Sequence, residues 1–305
     1  MNPAHPTAPA GPYHRGSRAV QDRVGVRALA DHVGRSIGPG IRPVAAAFLE
    51  QQPMLVLGAA AADGRVWASL LTGPAGFVRA TGPRQISVTG APHPADPLTA
   101  PLAEPGVPVG TLALDPRTRR RMRLNGHARP TARGLAVESD EVFANCPKYL
   151  QRRETYDTVP GRTPAEPRTS AELGPLDRQL IATADTFFLA TVGPDGADVS
   201  HRGGNPGFVR VDSARELSWP DYPGNAMFLT LGNLETDPRA GILLLDWTTG
   251  TTLQLTGTAR TVHRPKGQRR VHFTLDRAVR TESASPLRWS PPEPSPANPP
   301  VEQGS

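Results

Sequence analysis

The sequence predicts a mainly β protein with short helices, built from two tandem antiparallel barrels or sandwiches. Short apolar segments bounded by glycine, proline and aspartate recur along the chain, which is typical of antiparallel strands. The segment GPAGFVR at residues 73–79 also returns as GNPGFVR at 204–210. Other landmarks keep this separation of 131 residues, as from Gly110 to Gly241 and from Gly126 to Gly257. A constant separation indicates a tandem duplication.

Composition limits the class of protein. The 305 residues carry a formal charge of +6, which permits phosphate or nucleic-acid partners. No dense basic run with interleaved aromatic residues occurs, which disfavours nucleic acid. The single cysteine, Cys146, excludes an internal disulfide and a cysteine-rich metal site. No apolar run is long enough to cross a bilayer and the start of the chain is rich in proline, so we expect a cytoplasmic protein without a membrane partner.

The chain divides into five predicted parts. These are a disordered arm at 1–17, a first barrel domain at 18–144, a linker at 145–174, a second barrel domain at 175–265 and a proline-rich tail at 266–305. Each barrel begins with a helix, since Pro43 and Pro175 can each occupy a first helical turn. An earlier helix starts near Val20, and residues 271–278 suggest a short helix before the disordered end of the tail.

Predicted strands account for most of both repeats. In the first repeat they are 54–60, 66–71, 77–80, 85–88, 109–115, 121–128 and, less clearly, 136–143. In the second they are 187–192, 197–201, 208–211, 217–219, 240–246 and 251–262. Asp63-Gly64 suits a tight hairpin because both central positions can take positive φ, and it matches Asp195-Gly196 at an offset of 132 residues.

Several familiar motifs are absent or wrongly placed. The GRSIG segment at 34–38 has the spacing of a nucleophile elbow, but a helix precedes Ser36 where that turn needs a strand, so a helix end is the better interpretation. Cys146 beside Lys148 could be a reactive thiol, although a structural role is the ordinary explanation. We find no dinucleotide fingerprint, phosphate loop, zinc-protease motif or metal-ligand spacing among the eight histidines, and we predict no metal.

Alternate arginines in the first repeat suggest a cationic face. Arg117, Arg119, Arg121 and Arg123 share parity, so on a strand they would lie on one face, able to bind phosphate or simply be solvated. The second repeat has Thr248, Gly250, Thr252 and Gln254 at these positions.

The second repeat has its own polar cluster. Ser200, His201 and Arg202 precede two glycines, which let backbone N–H groups approach an anion. A turn with a surface salt bridge is the alternative. The corresponding residues of the first repeat are Ser69, Leu70 and Leu71. Three further residues with hydrogen-bonding side chains lie among apolar residues: Asn225, Thr230 and Asn233. Helix capping alone could explain their presence.

Taken together, these segments resemble the pyridoxamine 5'-phosphate oxidase-like family of FMN-binding split barrels. The resemblance rests on GFV at 207–209, PRA at 238–240 four residues after Leu234, LLL at 243–245, LTGTA at 255–259, RRMRLNG at 120–126 and NCPKY at 145–149. It implies two split barrels packed as an internal pseudo-dimer, with FMN where they meet and only one of two clefts needing to be competent. Thr230 stands where the oxidases have a phosphate-binding lysine, and their substrate-binding ending is absent, so oxidation of vitamin B6 is not expected.

The resemblance therefore implies an FMN-dependent oxidoreductase with an unknown substrate and electron donor. The expected cofactor-binding residues are Ser200, His201, Arg202, Asn225 and Thr230, with Arg121 and Arg123 from the other barrel; no catalytic residue can be named. The alternatives are a flavin or haem module without turnover and a deazaflavin-dependent reductase. A homodimer is the alternative to the internal pseudo-dimer.

Overall fold

The computed structural model describes residues 11–161 and 163–301 of the chain. Five α-helices lie in these ranges: α1 Arg15–Val24, α2 Arg27–Gly34, α3 Pro43–Glu50, α4 Pro175–Thr183 and α5 Leu229–Thr236. Proline occupies the first turn of α3 and α4, as predicted, because its missing N–H has no helical partner there. No helix among the described residues is both long and apolar enough to cross a membrane.

The first barrel is a seven-stranded antiparallel sheet. Its strands are β1 Met54–Ala60, β2 Val66–Thr72, β3 Val78–Gly82, β4 Gln85–Thr89, β5 Val107–Asp115, β6 Arg120–Thr131 and β7 Gly134–Ala144. They pair in the order β2-β1-β5-β6-β7-β4-β3. The predicted strands agree with these, including the less clear one at 136–143, which is β7.

The second barrel repeats this order. After the short linker strands β8 Tyr156–Thr158 and β9 Arg168–Ser170 come β10 Thr186–Gly193, β11 Gly196–Gly203, β12 Arg210–Val211, β13 Glu216–Pro220, β14 Arg239–Leu245, β15 Thr252–His263 and β16 Arg269–Thr281. The pairing order is β11-β10-β14-β15-β16-β13-β12, the same path strand for strand. Even the irregularity repeats, between Asn125 and Gly126 in the first barrel and between Thr256 and Gly257 in the second. The predicted tandem barrels are confirmed.

The two barrels pack against each other through a shared apolar layer. Each has a core of its own, and a third buried cluster takes residues from both, among them Val56, Leu112, Phe188, Val199 and Leu243. Burying such side chains contributes roughly 25 cal/mol per Å² of apolar surface. The chain thus forms an internal pseudo-dimer.

Two equivalent glycines allow the close approach of the barrels. A Cβ on Gly110 would lie 2.7 Å from Cα of Asp198 in β11, and a Cβ on Gly241 would lie 2.6 Å from the Val66 carbonyl in β2. Each glycine thus faces the backbone of the opposite barrel. A side chain at either position would push the barrels apart.

The predicted boundary between second barrel and tail is wrong. Residues 269–281 form β16, which pairs with β15 and β13, so residues 271–278 are strand and not helix. Val271, Leu275 and Ala278 also fit a helical spacing, which is why the sequence alone predicts a helix here. The buried residues Val271, Phe273 and Leu275 instead alternate with Thr274 and other outward-facing residues, at the period of a strand.

The rest of the tail is also ordered as far as Val301, where the described residues end. Strand β17, Leu287–Trp289, pairs with β8 of the linker. Farther on, the Ser295 N–H donates to the side chain of Gln151, as does the Asn298 amide, at 2.7 and 2.9 Å. Polar contacts therefore hold this proline-rich segment against the linker.

The N-terminal region departs from prediction in a different way. Residues 1–10 of the predicted disordered arm lie outside the described residues, and α1 begins at Arg15. This helix packs on α5 of the second barrel, although the sequence analysis assigned it to the first. A Cβ on Gly16 would lie 2.2 Å from the Gly232 carbonyl, so the two helices cross at backbone contact. Contacts this close depend on glycine in both helices.

A buried ion pair fixes the linker to the second barrel. Arg153 donates to Asp185 at 2.8 Å, and the two side chains are only 4% and 7% exposed. The Arg153 guanidinium also lies over the ring of Trp247, 4.2 Å from its centre. The start of the linker therefore has one defined position between the barrels.

Candidate functional site

A cleft opens where strand β6 of the first barrel meets strand β11 of the second. Its walls are completed by residues 220–228, the first turn of α5 and residues 145–149 of the linker. The cleft encloses about 860 Å³ of empty space, its open mouth included. The structure brings six of the predicted residues together here: Arg121, Arg123, His201, Arg202, Asn225 and Thr230.

Strand alternation explains why Arg121 and Arg123 reach the cleft. Met122 and Leu124, between and after them, are buried in the core of the first barrel. The other two arginines of the predicted row lie before the strand. Arg117 pairs with Asp115 and Arg119 with Glu293 instead. Only half of the predicted cationic face therefore belongs to the site.

Arg121 is a largely enclosed cation without a carboxylate partner among the described residues. Its guanidinium donates to the Cys146 carbonyl at 2.7 Å and to Nδ1 of His201 at 2.5 Å. Its Nε is buried without a partner. Burial, together with the charge of nearby Arg123, lowers the Arg121 pKa to about 9. An anion entering the cleft would relieve both penalties.

His201 is a buried neutral imidazole. A guanidinium has only donors to offer, so Nδ1 must accept from Arg121 and the ring proton lies on Nε2. Burial, followed by the positive charges of Arg121 and Arg202, lowers the His201 pKa well below its usual 6.5. The side chain is 7% exposed, and its Nε2 has no partner among the described residues. The ring therefore retains a buried N–H donor without a partner beside the cleft.

Asp198, which the sequence analysis did not single out, holds one side of the cleft together. Its carboxylate accepts from Arg123 at 3.0 Å, from Asn125 at 3.2 Å and from the Thr230 hydroxyl at 3.3 Å. Two predicted cofactor ligands, Arg123 and Thr230, are therefore already hydrogen-bonded within the protein. They shape the site more than they offer free donors to a ligand.

A second carboxylate organises the opposite side. Asp221 accepts from Arg202 and from Arg269, each at 2.8 Å. Ser200 is fully buried and does not line the cleft; its hydroxyl accepts from Nε of Arg202 at 3.3 Å. Ser200 thus orients Arg202, and Asp221 and Arg269 are further residues that sequence reasoning missed.

The segment before α5 has a strained backbone. Ala226 and Phe228 both have positive φ, 63° and 55°, which costs a non-glycine residue roughly 1–3 kcal/mol. The Asn225 side chain accepts from the Met227 N–H at 3.2 Å, and Gln21 of α1 donates to the Met227 carbonyl at 2.9 Å. These bonds hold the segment in place, so the predicted residue Asn225 acts on the shape of the wall.

The strained segment turns the start of α5 toward the cleft. No side chain caps this helix, and its first residues, Leu229, Thr230 and Leu231, line the site. The first N–H groups of a helix lack internal partners and carry partial positive charge, which favours an anion. This position lies in the same cleft as Arg121 and His201.

An aromatic pair from the linker and the second barrel forms the outer wall. The rings of Tyr149 and Tyr222 lie 5.1 Å apart, and the Tyr149 hydroxyl donates to the Pro223 carbonyl at 2.9 Å. Lys148 adds a further cation. The NCPKY segment was noted only as part of the resemblance, and nothing in its local sequence indicates that it covers the cleft.

Comparison with known proteins gives the family of the second barrel. Residues 175–288 match the family model described as Pyridoxamine 5'-phosphate oxidase. The second barrel belongs to the pyridoxamine 5'-phosphate oxidase-like family. This match extends through β16, so the family's barrel includes the strand that the sequence analysis assigned to the tail. No curated protein shows significant sequence similarity to the chain.

Solved structures resemble parts of the chain weakly. A Lactobacillus delbrueckii protein named after pyridoxamine 5'-phosphate oxidase is 14% identical with a TM-score of 0.30, covering 36% of this chain and 94% of its own. The haem storage protein HutZ of Vibrio cholerae is 14% identical with a TM-score of 0.29, covering 36% and 95%. The conserved protein Rv2991 of Mycobacterium tuberculosis is 18% identical with a TM-score of 0.29, covering 35% and 82%. Similarities this low support no conclusion about the function of this chain.

Proposed function

We propose that the cleft binds FMN and that the chain is a flavin-dependent oxidoreductase. The observation that carries the proposal is the convergence of three features: the Arg121 guanidinium, which has no carboxylate partner among the described residues, the unpartnered Nε2–H of His201 and the uncapped start of α5. A phosphate would meet all three. Charge-assisted hydrogen bonds from arginine and backbone N–H groups are the strongest that proteins offer to phosphate.

The remainder of the cleft suits the other end of FMN. Tyr149 and Tyr222 give aromatic wall, while Met227 and Leu229 add apolar surface. A ligand with one anionic end and one planar apolar end matches this division between cations and apolar side chains. The residues present therefore fit a flavin mononucleotide.

The predicted residues take different parts in this proposal. Arg121, His201 and Arg202 contact the ligand, whereas Arg123 and Thr230 act through Asp198. Ser200 orients Arg202, and Asn225 shapes the wall before α5. A bound flavin supplies hydride or electron transfer, and the chain's own residues bind it, orient it and limit access of water.

Binding is tested by titrating FMN into the purified protein and following flavin fluorescence. We expect Arg121→Leu to weaken binding roughly 10- to 100-fold, the usual effect of losing hydrogen bonds to a charged group. Arg129→Leu is the matched control, since Arg129 is exposed on the same strand. Wild-type protein that takes up no FMN overturns the proposal, and unchanged binding by Arg121→Leu overturns the phosphate assignment.

Turnover needs a separate measurement, because a flavin module without catalysis has the same binding site. Steady consumption of a reduced nicotinamide nucleotide by the FMN-loaded protein, with oxygen or a dye as acceptor, supports the oxidoreductase. Reduction that stops after one equivalent supports a binding module. A deazaflavin released on denaturation, identified by its mass, would replace FMN as the cofactor.

Haem is the alternative ligand, and the tautomer of His201 disfavours it. An axial iron ligand must offer a lone pair, whereas Nε2 of His201 carries the ring proton and Nδ1 accepts from Arg121, so iron binding would require that bond to break. Absorption spectra distinguish the two ligands directly. If haem is bound, His201→Ala should abolish its Soret band; if FMN is bound, the same change should only weaken the affinity.

A further inference from the structure

The pseudo-twofold relation of the barrels creates a second cleft on the other side of the chain. In this second cleft, strand β15 is equivalent to β6 of the first cleft and strand β2 is equivalent to β11. Thr252 and Gln254 therefore occupy the positions of Arg121 and Arg123. Leu70 and Leu71 occupy the places of His201 and Arg202, as the pairing of Ser69 with Leu57 and of Ser200 with Leu189 shows. These four residues line a cavity of about 760 Å³, its mouth included.

The two clefts differ in polarity or hydrogen bonding at all four of these positions and in charge at three of them. Where the first has three guanidinium groups and an imidazole, the second has two leucines, a threonine and a glutamine. No arginine or lysine lines the second cleft within the described part of the chain. A phosphate there would lose its hydration without gaining a guanidinium or ammonium partner, which is unfavourable.

Gln254 closes the second cleft with a bridge between the barrels. Its side-chain amide donates to the Ala68 carbonyl at 3.0 Å, to the Ser69 hydroxyl at 3.1 Å and to the Asp96 carboxylate at 3.0 Å. Arg123, its counterpart, also joins the barrels, through Asp198, but its Nε is buried without a partner. The second cleft therefore uses its central polar residue as a joint between β15 and β2.

Asp96 removes the remaining anion-binding feature. Its Oδ1 accepts from the Leu98 N–H at 2.8 Å, and the separation of 131 residues matches Leu98 to Leu229, the first residue of the uncapped helix α5. The carboxylate thus satisfies the backbone donor that stays open in the first cleft. Burial raises the Asp96 pKa, although its bonds from Ser69, Leu98 and Gln254 oppose this.

We propose that the chain has one phosphate-binding cleft, at Arg121 and His201, and that the equivalent cleft is a structural joint closed to anions. The chain then binds one FMN and not two. The identity of the ligand rests on the proposed function, whereas the asymmetry toward anions is independent of it.

Tungstate, a phosphate mimic with a strong anomalous signal, tests the asymmetry without any flavin. Crystals soaked in tungstate should show an anomalous peak beside Arg121 and His201 and none beside Gln254 and Leu70. Peaks in both clefts, a peak in the second alone, or no peak in the first would each overturn the inference. A peak in the first cleft of a protein that does not bind FMN would retain the inference and reject the proposed cofactor.

Substitutions at the two equivalent positions, 121 and 252, give the matched comparison in solution. Arg121→Thr installs the residue of the second cleft and should weaken FMN binding roughly 10- to 100-fold. Thr252→Val alters the equivalent position of the other cleft and should leave both affinity and stoichiometry unchanged. Calorimetry should give one FMN per wild-type chain. Two per chain, or half of the sites retained at full affinity in Arg121→Thr, would contradict a single site.

Discussion

The guanidinium of Arg121 in the first barrel donates to Nδ1 of His201 in the second, at 2.5 Å. The contact joins the barrels at the cleft and selects the tautomer of the imidazole, because the guanidinium cannot accept a hydrogen bond. It also opposes a second proton on the ring, which would place two cations side by side. The tautomer of His201 is therefore set by a residue 80 positions earlier in the chain.

The neutral state of His201 should make stability depend on pH. The folded His201 pKa lies well below 6.5, so below pH 6.5 the unfolded chain binds a proton that the folded chain does not. The free energy of unfolding should then fall as the pH decreases, by at most about 1.4 kcal/mol per pH unit. Urea unfolding at pH 7.5 and pH 5.5 should show a smaller loss for His201→Gln than for wild type. His32→Gln, on the exposed side of α2, should keep the wild-type loss; equal losses in all three proteins would refute the assignment.

Glu141 should have the opposite effect in a neighbouring pH range. Burial, followed by the charges of Asp198 and Asp195, raises the Glu141 pKa from 4.5 to about 7, although its bond from Asn125 opposes this. The folded chain then retains a proton that the unfolded chain releases, so stability is lost as the pH rises from about 4.5 through 7. We expect Glu141→Gln to gain stability relative to wild type between pH 5 and pH 8.

The control for this prediction lies on the same strand. Glu138 is exposed on β7, so Glu138→Gln should show no pH-dependent gain beyond a few tenths of a kcal/mol. Chemical unfolding at pH 5, 6.5 and 8 measures all three proteins. A constant difference between Glu141→Gln and wild type at these values would mean that Glu141 titrates normally.

The glycine contacts between the barrels predict a specific loss of stability. In Gly241→Ala the new methyl group would lie 2.6 Å from the Val66 carbonyl and 2.8 Å from Cα of Trp67, and this backbone cannot move without shifting the opposite barrel. We expect a cost of about 1–3 kcal/mol, typical of overpacking. Gly40→Ala, with nothing within 4 Å of its Cβ, should be nearly neutral. Thermal unfolding should separate the two variants, and equal melting temperatures would show that the interface can yield.

The ion pair of Arg153 and Asp185 should be costly to break. Asp185→Asn leaves a guanidinium that is 4% exposed without its counter-charge, which typically costs about 3–5 kcal/mol. Asp22→Asn removes the partner of Arg27 in a pair that is half exposed on both sides and should cost less than about 1 kcal/mol. Urea unfolding of both variants measures the difference. A cost for Asp185→Asn no larger than that for Asp22→Asn would show that water reaches the buried pair.

The sequence predicts much of the fold because repetition and alternation are local signals. The offset from Gly110 to Gly241 identifies equivalent strands, and the spacing of Arg121 and Arg123 correctly places both on one face. The sequence alone predicts a helix for part of strand β16 because the apolar residues of this strand satisfy helical and strand spacings at once. The pairing partners that decide between them lie on β13 and β15, which no local window includes.

The parts of the site that escaped prediction depend on long-range contacts. Asp198 and Asp221 matter because arginines from distant strands converge on them, and neither carboxylate has a distinctive neighbour in sequence. The order of the tail likewise depends on Gln151 and Asn205, which bind residues more than 90 positions away. Propensity and periodicity do not contain this information.

The covalent connection between the barrels has a consequence for dilution. When a cleft lies at the interface of two separate chains, it is lost as the protein concentration falls below the dissociation constant of the dimer, because the chains separate. Here the linker keeps the barrels at an effective concentration in the millimolar range or above, whatever the amount of protein present. The Arg121 and His201 cleft should therefore persist in a single molecule, even when the protein is scarce.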